Sequence, residues 1–247
     1  MLYLVEHFYS IQGEGKFSGV PSLFFRFGGC NLKCAGFGTR YIVDEVEKVG
    51  CDSFYAVDSN FRSSWQEIGN LDQLISIFQH YHQNISHVVL TGGEPLIYVS
   101  NPVFLQFLQY LKSKNFHITI ETNGTIAVPE IDIFRNITYS IALKLSNSGE
   151  EFQKRINIEA IRSIVRISKS TFFKFTIDQK AILQGADREI SDIAKLFPNI
   201  PIYCMAIGRD REELEKNSPA VVDFCIKNSY IYSDRIHIRL WNGEKGY

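Results

Sequence analysis

Along the chain, short apolar runs rich in β-branched and aromatic residues alternate with stretches in which apolar side chains recur at helical spacing. Ser22-Leu23-Phe24-Phe25-Arg26-Phe27 predicts a strand that runs into Gly28-Gly29. Over 71–82, Leu71, Leu74, Ile75, Ile77, Phe78 and Tyr81 recur as on a helix. Val88-Val89-Leu90 predicts a short buried strand ending at Thr91-Gly92-Gly93. Helices are expected at 102–111 and 187–197, strands at 118–121, 139–145, 172–177 and 200–207, and a long amphipathic stretch over 151–167. Residues 211–226 predict a helix that is interrupted or entered near Pro219, and the alternation over 235–240 predicts a last strand.

Strand and helix alternate from about residue 70 onward, the pattern of a parallel sheet with crossover helices. No repeat, low-complexity tract or linker interrupts it, so 1–247 reads as a single α/β domain. The expected form is a partial, open TIM-type barrel of mainly parallel strands. In such a barrel the motifs at strand C-terminal ends face one mouth. Gly28-Gly29, Thr91-Gly92-Gly93, Glu121-Thr122-Asn123-Gly124 and Lys144 all fall at such ends.

Charge changes the picture by exclusion. Lys plus Arg number 26 against 27 Asp plus Glu, a net charge of −1, which gives no basic surplus for nucleic acid or an anionic membrane. No apolar run reaches the roughly 18 residues of a membrane span. Met1-Leu2-Tyr3-Leu4-Val5-Glu6 lacks the basic segment of a secretory signal, so a cytoplasmic protein is expected. With 19 Phe and 12 Tyr the chain is too aromatic for disorder.

The five cysteines are unevenly placed. Cys204 and Cys225 lie in apolar surroundings and read as small buried hydrophobes. Cys30, Cys34 and Cys51 cluster in a Gly-rich segment and read as metal ligands. Three thiolates hold a four-iron cluster while leaving one iron without a protein ligand. Zinc would need a fourth ligand, and no His lies between positions 8 and 79. Downstream, Leu90-Thr91-Gly92-Gly93-Glu94-Pro95 offers glycines for close approach and a carboxylate for a cationic group; by itself it is also an ordinary strand-to-helix turn.

Cys30-x3-Cys34 with a third cysteine, followed by Gly92-Gly93-Glu94-Pro95, resembles the radical S-adenosylmethionine superfamily. Four further segments resemble the 7-carboxy-7-deazaguanine synthase family within it: Tyr9-Ser-Ile-Gln-Gly-Glu-Gly15, Phe24-Phe25-Arg26-Phe27-Gly28-Gly29-Cys30, Glu121-Thr122-Asn123-Gly124 and His237-Ile-Arg-Leu-Trp241-Asn-Gly-Glu-Lys-Gly246. The resemblance implies a radical SAM core with an extended cluster-binding loop at 30–53. It implies conversion of 6-carboxy-5,6,7,8-tetrahydropterin to 7-carboxy-7-deazaguanine with release of ammonia, in queuosine and 7-deazapurine biosynthesis. The implied cofactors are a 4Fe-4S cluster on Cys30, Cys34 and Cys51, S-adenosyl-L-methionine, and Mg²⁺ at Ser53. The implied partners are the pterin substrate, an electron donor such as flavodoxin, and a second subunit in a homodimer.

By the same resemblance, Ile11, Gln12, Gly13, Arg26 and Thr91 hold the pterin, with Arg26 suited to its carboxylate by a planar two-donor fork. Glu14 and Glu121 face its amino and ring N–H groups, although both could equally cap turns. His237 and the terminal carboxylate of Tyr247 serve the same pocket; a histidine satisfied in the core is the competing reading of the former. Contacts to S-adenosylmethionine are implied for Gly50, Asp52, Gly93, Glu94, Ala142, Leu143, Lys144 and Met205. The sequence departs from the family pattern in three places. Phe37 stands where the third cysteine usually falls, so that Cys51-Asp52-Ser53 supplies the signature after residues 35–50. Ala142-Leu143-Lys144 replaces Ser-Pro-Lys, and Cys204-Met205-Ala206-Ile207 matches the cofactor-binding strand end only loosely. Two other functions compete: an activase that makes a glycyl radical on a partner protein, and a non-catalytic metal-binding module.

Overall fold

The computed structural model describes residues 1–81, 85–244 and 246. Its strands are β1 (Leu2–Ile11), β2 (Pro21–Phe27), β3 (Thr39–Val43), β4 (Val46–Gly50), β5 (Gln66–Ile68), β6 (His87–Gly92), β7 (His117–Thr122), β8 (Thr138–Ile141), β9 (Ser170–Ile177), β10 (Ile202–Ala206) and β11 (Ile231–Tyr232). Its α-helices are α1 (Phe54–Val57), α2 (Leu71–His80), α3 (Pro102–Ser113), α4 (Phe152–Arg155), α5 (Ile158–Ile167), α6 (Gln179–Leu183), α7 (Ala186–Leu196), α8 (Arg211–Asn228) and α9 (Ile236–Trp241). The main sheet runs β11-β10-β9-β8-β7-β6-β2-β1-β5, and β3 and β4 form a separate hairpin. All joins from β2 to β11 are parallel, and β1 pairs antiparallel with both β2 and β5. Among the described residues no helix is long and apolar enough to cross a membrane.

The parallel strands are buried on both faces, as crossover topology requires. His87, Val88, Val89, Leu90 and Thr91 of β6 are all buried. Phe25 and Phe27 of β2 meet Phe107 and Phe104 of α3 edge-on at 4.9 and 5.4 Å. Each such buried ring stabilises the fold by about 1.5–3 kcal/mol. Helix α2 begins with a capping box between Asn70 and Gln73 and buries Leu74 and Phe78. The sheet wraps toward a barrel, because Phe8, Arg26, Thr91, Glu121, Lys174 and Met205, from six different strands, line one cavity.

The opposite, N-terminal end of the strands is closed by a polar floor. The Ser22 hydroxyl donates to Val20 O (2.8 Å), so it accepts from His87 Nδ1 (2.8 Å), and His87 Nε2 then accepts from the Thr119 hydroxyl at 2.8 Å. Burial pushes the His87 imidazole down to about 4, which keeps it neutral.

Five expectations need correction. The alternating segment 235–240 is not a strand: Ile236–Trp241 is helical. Arg239 Nε pairs with Asp234 at 2.7 Å, and the Arg211 guanidinium donates to the carbonyls of Arg239 and Leu240, which caps the helix end. The stretch 151–167 breaks into α4 and α5, since Asn157 caps α5 by accepting from Ala160 N. Strand β8 stops at Ile141, where Leu143 N turns back to Ile141 O. Helix α8 is not interrupted at Pro219 but runs through it. Helix α2 ends at His80; residue 82, where the expected helix ended, lies outside the described residues.

Candidate active site

Glycine makes the mouth of the barrel possible. A Cβ on Gly92 would lie 2.2 Å from Phe27 O, and one on Gly93 would lie 2.3 Å from Gly29 O. Without side chains the two turns close up, with Gly93 N donating to Phe27 O (3.1 Å) and Glu94 N to Gly29 O (2.8 Å). Behind them Glu94 is fully buried. Its carboxylate accepts from Leu96 N, the Thr122 hydroxyl and Asn123 N at 2.9, 2.8 and 2.6 Å. It therefore points inward and pins the end of β7 to that of β6, away from the cavity lining.

Cys30, Cys34 and Cys51 line the same cavity, which has a volume of about 430 Å³. Their loop is folded, not slack. Residues of β3 and β4 pair around Asp44 and Glu45, both with positive φ (48° and 64°), the geometry of a tight hairpin. The Tyr41 ring stacks on Phe54 at 4.3 Å, and its hydroxyl and Lys48 Nζ both donate to Asp58 Oδ2 at 3.0 and 2.9 Å. The hairpin thereby returns Cys51 to the wall that carries Cys30 and Cys34. On the other flank Glu150 Oε1 accepts from the backbone N–H groups of Lys33 and Cys34 at 2.5 and 2.8 Å.

Burial pushes the Cys30 and Cys51 thiols up to about 12 and raises that of Cys34. Neutral thiols in an enclosed wall become thiolates when a metal supplies the compensating charge. Among the described residues no group of three or more His, Cys, Asp or Glu is drawn into a preformed metal-holding cage. The donor set itself, three sulfurs on one wall, suits an iron–sulfur cluster.

The rest of the lining carries charge of both signs. Arg26 Nε pairs with Glu6 at 2.6 Å, and the same oxygen accepts from the Tyr55 hydroxyl at 2.9 Å. Glu121 accepts from Gln12 Nε2 (3.2 Å) and the Thr91 hydroxyl (2.9 Å). Glu14 is gripped by Lys174 Nζ at 2.6 Å and Arg235 Nε at 2.9 Å, and these cations hold its carboxyl well below the usual carboxylate range despite burial. Arg235 also reaches Asp52 Oδ2 at 2.9 Å and Gly208 O at 2.6 Å, tying the cysteine loop to the end of β10.

His237 lies over Gly13, where a Cβ would meet its Nδ1 at 2.0 Å, and Ile236 N donates to Gly13 O at 3.0 Å. Gly13→Ala is accordingly expected to displace the imidazole and cost about 1–3 kcal/mol, read by urea unfolding.

The family described as "4Fe-4S single cluster domain" matches residues 11–132. The 7-carboxy-7-deazaguanine synthase of Halobacterium salinarum is 28% identical, over 96% of this chain and 89% of its own. That of Rhodopirellula baltica is 28% identical over 99% and 88%, and that of Escherichia coli 30% identical over 58% and 61%. The crystal structure of QueE from Escherichia coli superposes with a TM-score of 0.62 at 21% identity, covering 95% of this chain and 94% of that one. The match runs essentially end to end. Over essentially its whole length the chain is a relative of the 7-carboxy-7-deazaguanine synthases.

Of the positions singled out by the synthase pattern, Ile11, Gln12, Gly13, Glu14, Arg26, Thr91, Glu121 and His237 line the cavity, as do Asp52, Ser53, Gly93, Ala142, Lys144 and Met205. Gly50 instead borders a neighbouring cavity that Cys30 and Cys51 also line. Leu143 is buried in the core against Gly124. Ser53 Oγ donates to Asp52 Oδ1 at 3.3 Å, and Lys144 Nζ lies 5.7 Å from the centre of the Phe37 ring. Tyr247 lies outside the described residues.

Lys174, Arg235, Glu6 and Glu150 were not anticipated. Lys174 alone carried a signal: a cation inside the apolar run Phe172-Phe173-Lys174-Phe175 needs a partner.

Proposed function

We infer that the chain is a radical S-adenosylmethionine enzyme that converts 6-carboxy-5,6,7,8-tetrahydropterin to 7-carboxy-7-deazaguanine and releases ammonia. The observation that carries this reading is what one cavity brings together: three thiols, and carboxylates and a guanidinium of the kind a carboxylated, N–H-rich heterocycle requires. Cys30, Cys34 and Cys51 would hold a 4Fe-4S cluster, which when bound supplies the electron for cleavage of S-adenosylmethionine.

The chain's own residues then bind and orient. Glu6 fixes the Nε edge of Arg26 and so directs the rest of the fork to the substrate carboxylate. Glu14 and Glu121 accept from the pterin amino and ring N–H groups, with the backbone of 11–13 and Thr91 beside them. Gly93, Asp52, Ala142, Lys144 and Met205 form the side on which S-adenosylmethionine lies, and Gly93 admits it closely for want of a side chain. Ser53 Oγ and the substrate carboxylate are two oxygens for Mg²⁺, a hard cation that keeps few protein ligands. A flavodoxin-type donor, a homodimer and a cytoplasmic setting complete the reading.

The test is anaerobic iron and sulfide reconstitution followed by incubation with the pterin, S-adenosylmethionine and a reductant. Formation of the deazaguanine is expected, and cofactor cleavage without it would sink the proposal. Ser53→Ala should lose most of the Mg²⁺ stimulation while uncoupled cofactor cleavage persists. Equal Mg²⁺ dependence in both proteins would remove the ion from Ser53.

A further inference from the structure

Two carboxylates that face one cavity repel each other, and left alone one of them takes up a proton. In this cavity Glu14 and Glu121 are such a pair, and a cation stands between them. Lys174 Nζ is 2.6 Å from Glu14 Oε2 and 3.7 Å from Glu121 Oε1, on a side chain that is only 6% exposed. The flanking side chains of β9, Phe173 and Phe175, belong to the core, so strand alternation sends Lys174 to the cavity side.

We propose that Lys174 is a positioning residue that sets the specificity of this pocket. By holding Glu14 and Glu121 together as pure acceptors, it selects a heterocycle edge with an amino group beside a ring N–H and rejects the edge with an oxo group in the amino position. The inference rests on the pterin reading of the site and adds to it which residue makes that edge legible.

The other groups facing Glu14 support this division of labour. Arg235 holds the second Glu14 oxygen at 2.9 Å, and His237 Nε2 stands 3.9 Å from it. Gln12 and Thr91 both donate to Glu121, and Asp52 is occupied by Arg235. Lys174 is thus the group that bridges the two carboxylates. Its ammonium is stabilised by them, and its own proton affinity is raised accordingly.

The experiment compares wild type, Lys174→Met, Lys174→Gln and Lys174→Arg as reconstituted holoenzymes. Binding of 6-carboxytetrahydropterin and of its 2-oxo analogue is measured by calorimetry from acid to neutral pH, alongside kcat and KM. Both uncharged variants should raise the Kd and KM for the amino compound by about tenfold or more, with a smaller change in kcat. Their preference for the amino compound over the oxo analogue should shrink, and their binding should weaken as pH falls, because Glu14 without the Lys174 ammonium takes up a proton more readily. Lys174→Arg should restore both.

If Lys174→Met fails to fold, Lys174→Gln retains a hydrogen-bond donor without the charge and decides the matter. Unchanged selectivity and pH dependence in a folded uncharged variant would overturn the proposal, as would equal loss for both compounds. Wild-type turnover separately tests the pterin reading. Selectivity that collapses in the variants while wild type makes no deazaguanine would sink that reading and not the role of Lys174.

Discussion

Replacing Cys30, Cys34 or Cys51 by alanine is expected to abolish the iron–sulfur absorbance and iron content of the reconstituted protein, and with them all turnover. The three thiols share one cavity wall, and removing one leaves two sulfurs for a cluster that needs three from the protein. Cys204→Ala and Cys225→Ala should keep a full cluster. Both sulfurs are buried where β10 packs against α8, away from that wall. The sharpest part is Cys51, which reaches the site only because the hairpin of β3 and β4 folds back. Intact iron and sulfide in Cys51→Ala would show that the hairpin delivers a different ligand.

The second large effect is on stability. Glu94→Gln is expected to lower the free energy of unfolding by about 2 kcal/mol or more. Leu96 N, Thr122 Oγ1 and Asn123 N all donate to this one carboxylate. An amide keeps one acceptor and turns its NH₂ on the second, so a buried donor faces a donor. There is also a pH signature. Burial outweighs these donors and raises the carboxyl from 4.5 to about 7. A carboxyl raised on folding contributes stability that is complete below its unfolded value and is lost as pH rises through the folded one. Wild type should therefore shed part of its stability between those two values, and Glu94→Gln should lose that slope. Urea melts across the range read both effects. An equally steep pH dependence in the variant would assign the slope to another group.

Much of the sheet was legible because β6 to β10 are apolar runs bounded by glycines and polar turns. Less legible was whatever depends on a distant partner. The segment Thr39–Val43 alternates well enough, but its turn is Asp44-Glu45, without the glycine that usually announces a tight hairpin. Ile236, Ile238 and Leu240 alternate like a strand, and the helix there exists through Asp234 and Arg211, which only the fold supplies. The site divides in the same way. Residues carried on glycine-rich strand ends could be named in advance. Lys174, Arg235, Glu6 and Glu150 owe their places to ion pairs and backbone contacts across long separations, and a charge in isolation does not declare its partner.

The order of the sheet bears on how the molecule assembles. From β6 to β11 each strand lies beside the next in sequence, so every one of those joins needs only a single crossover to close. The join between β2 and β6 is of another kind, since the cysteine loop, the hairpin, β5 and α2 all lie within the intervening chain. Closure entropy rises slowly with length, but non-local pairing is what slows folding. This seam is therefore the kinetically demanding one, and it is where Phe27 and Gly29 meet Gly93 and Glu94. The hydrogen bonds of β7, β8 and β9 can already be in place while the cysteines still have no wall to lie against.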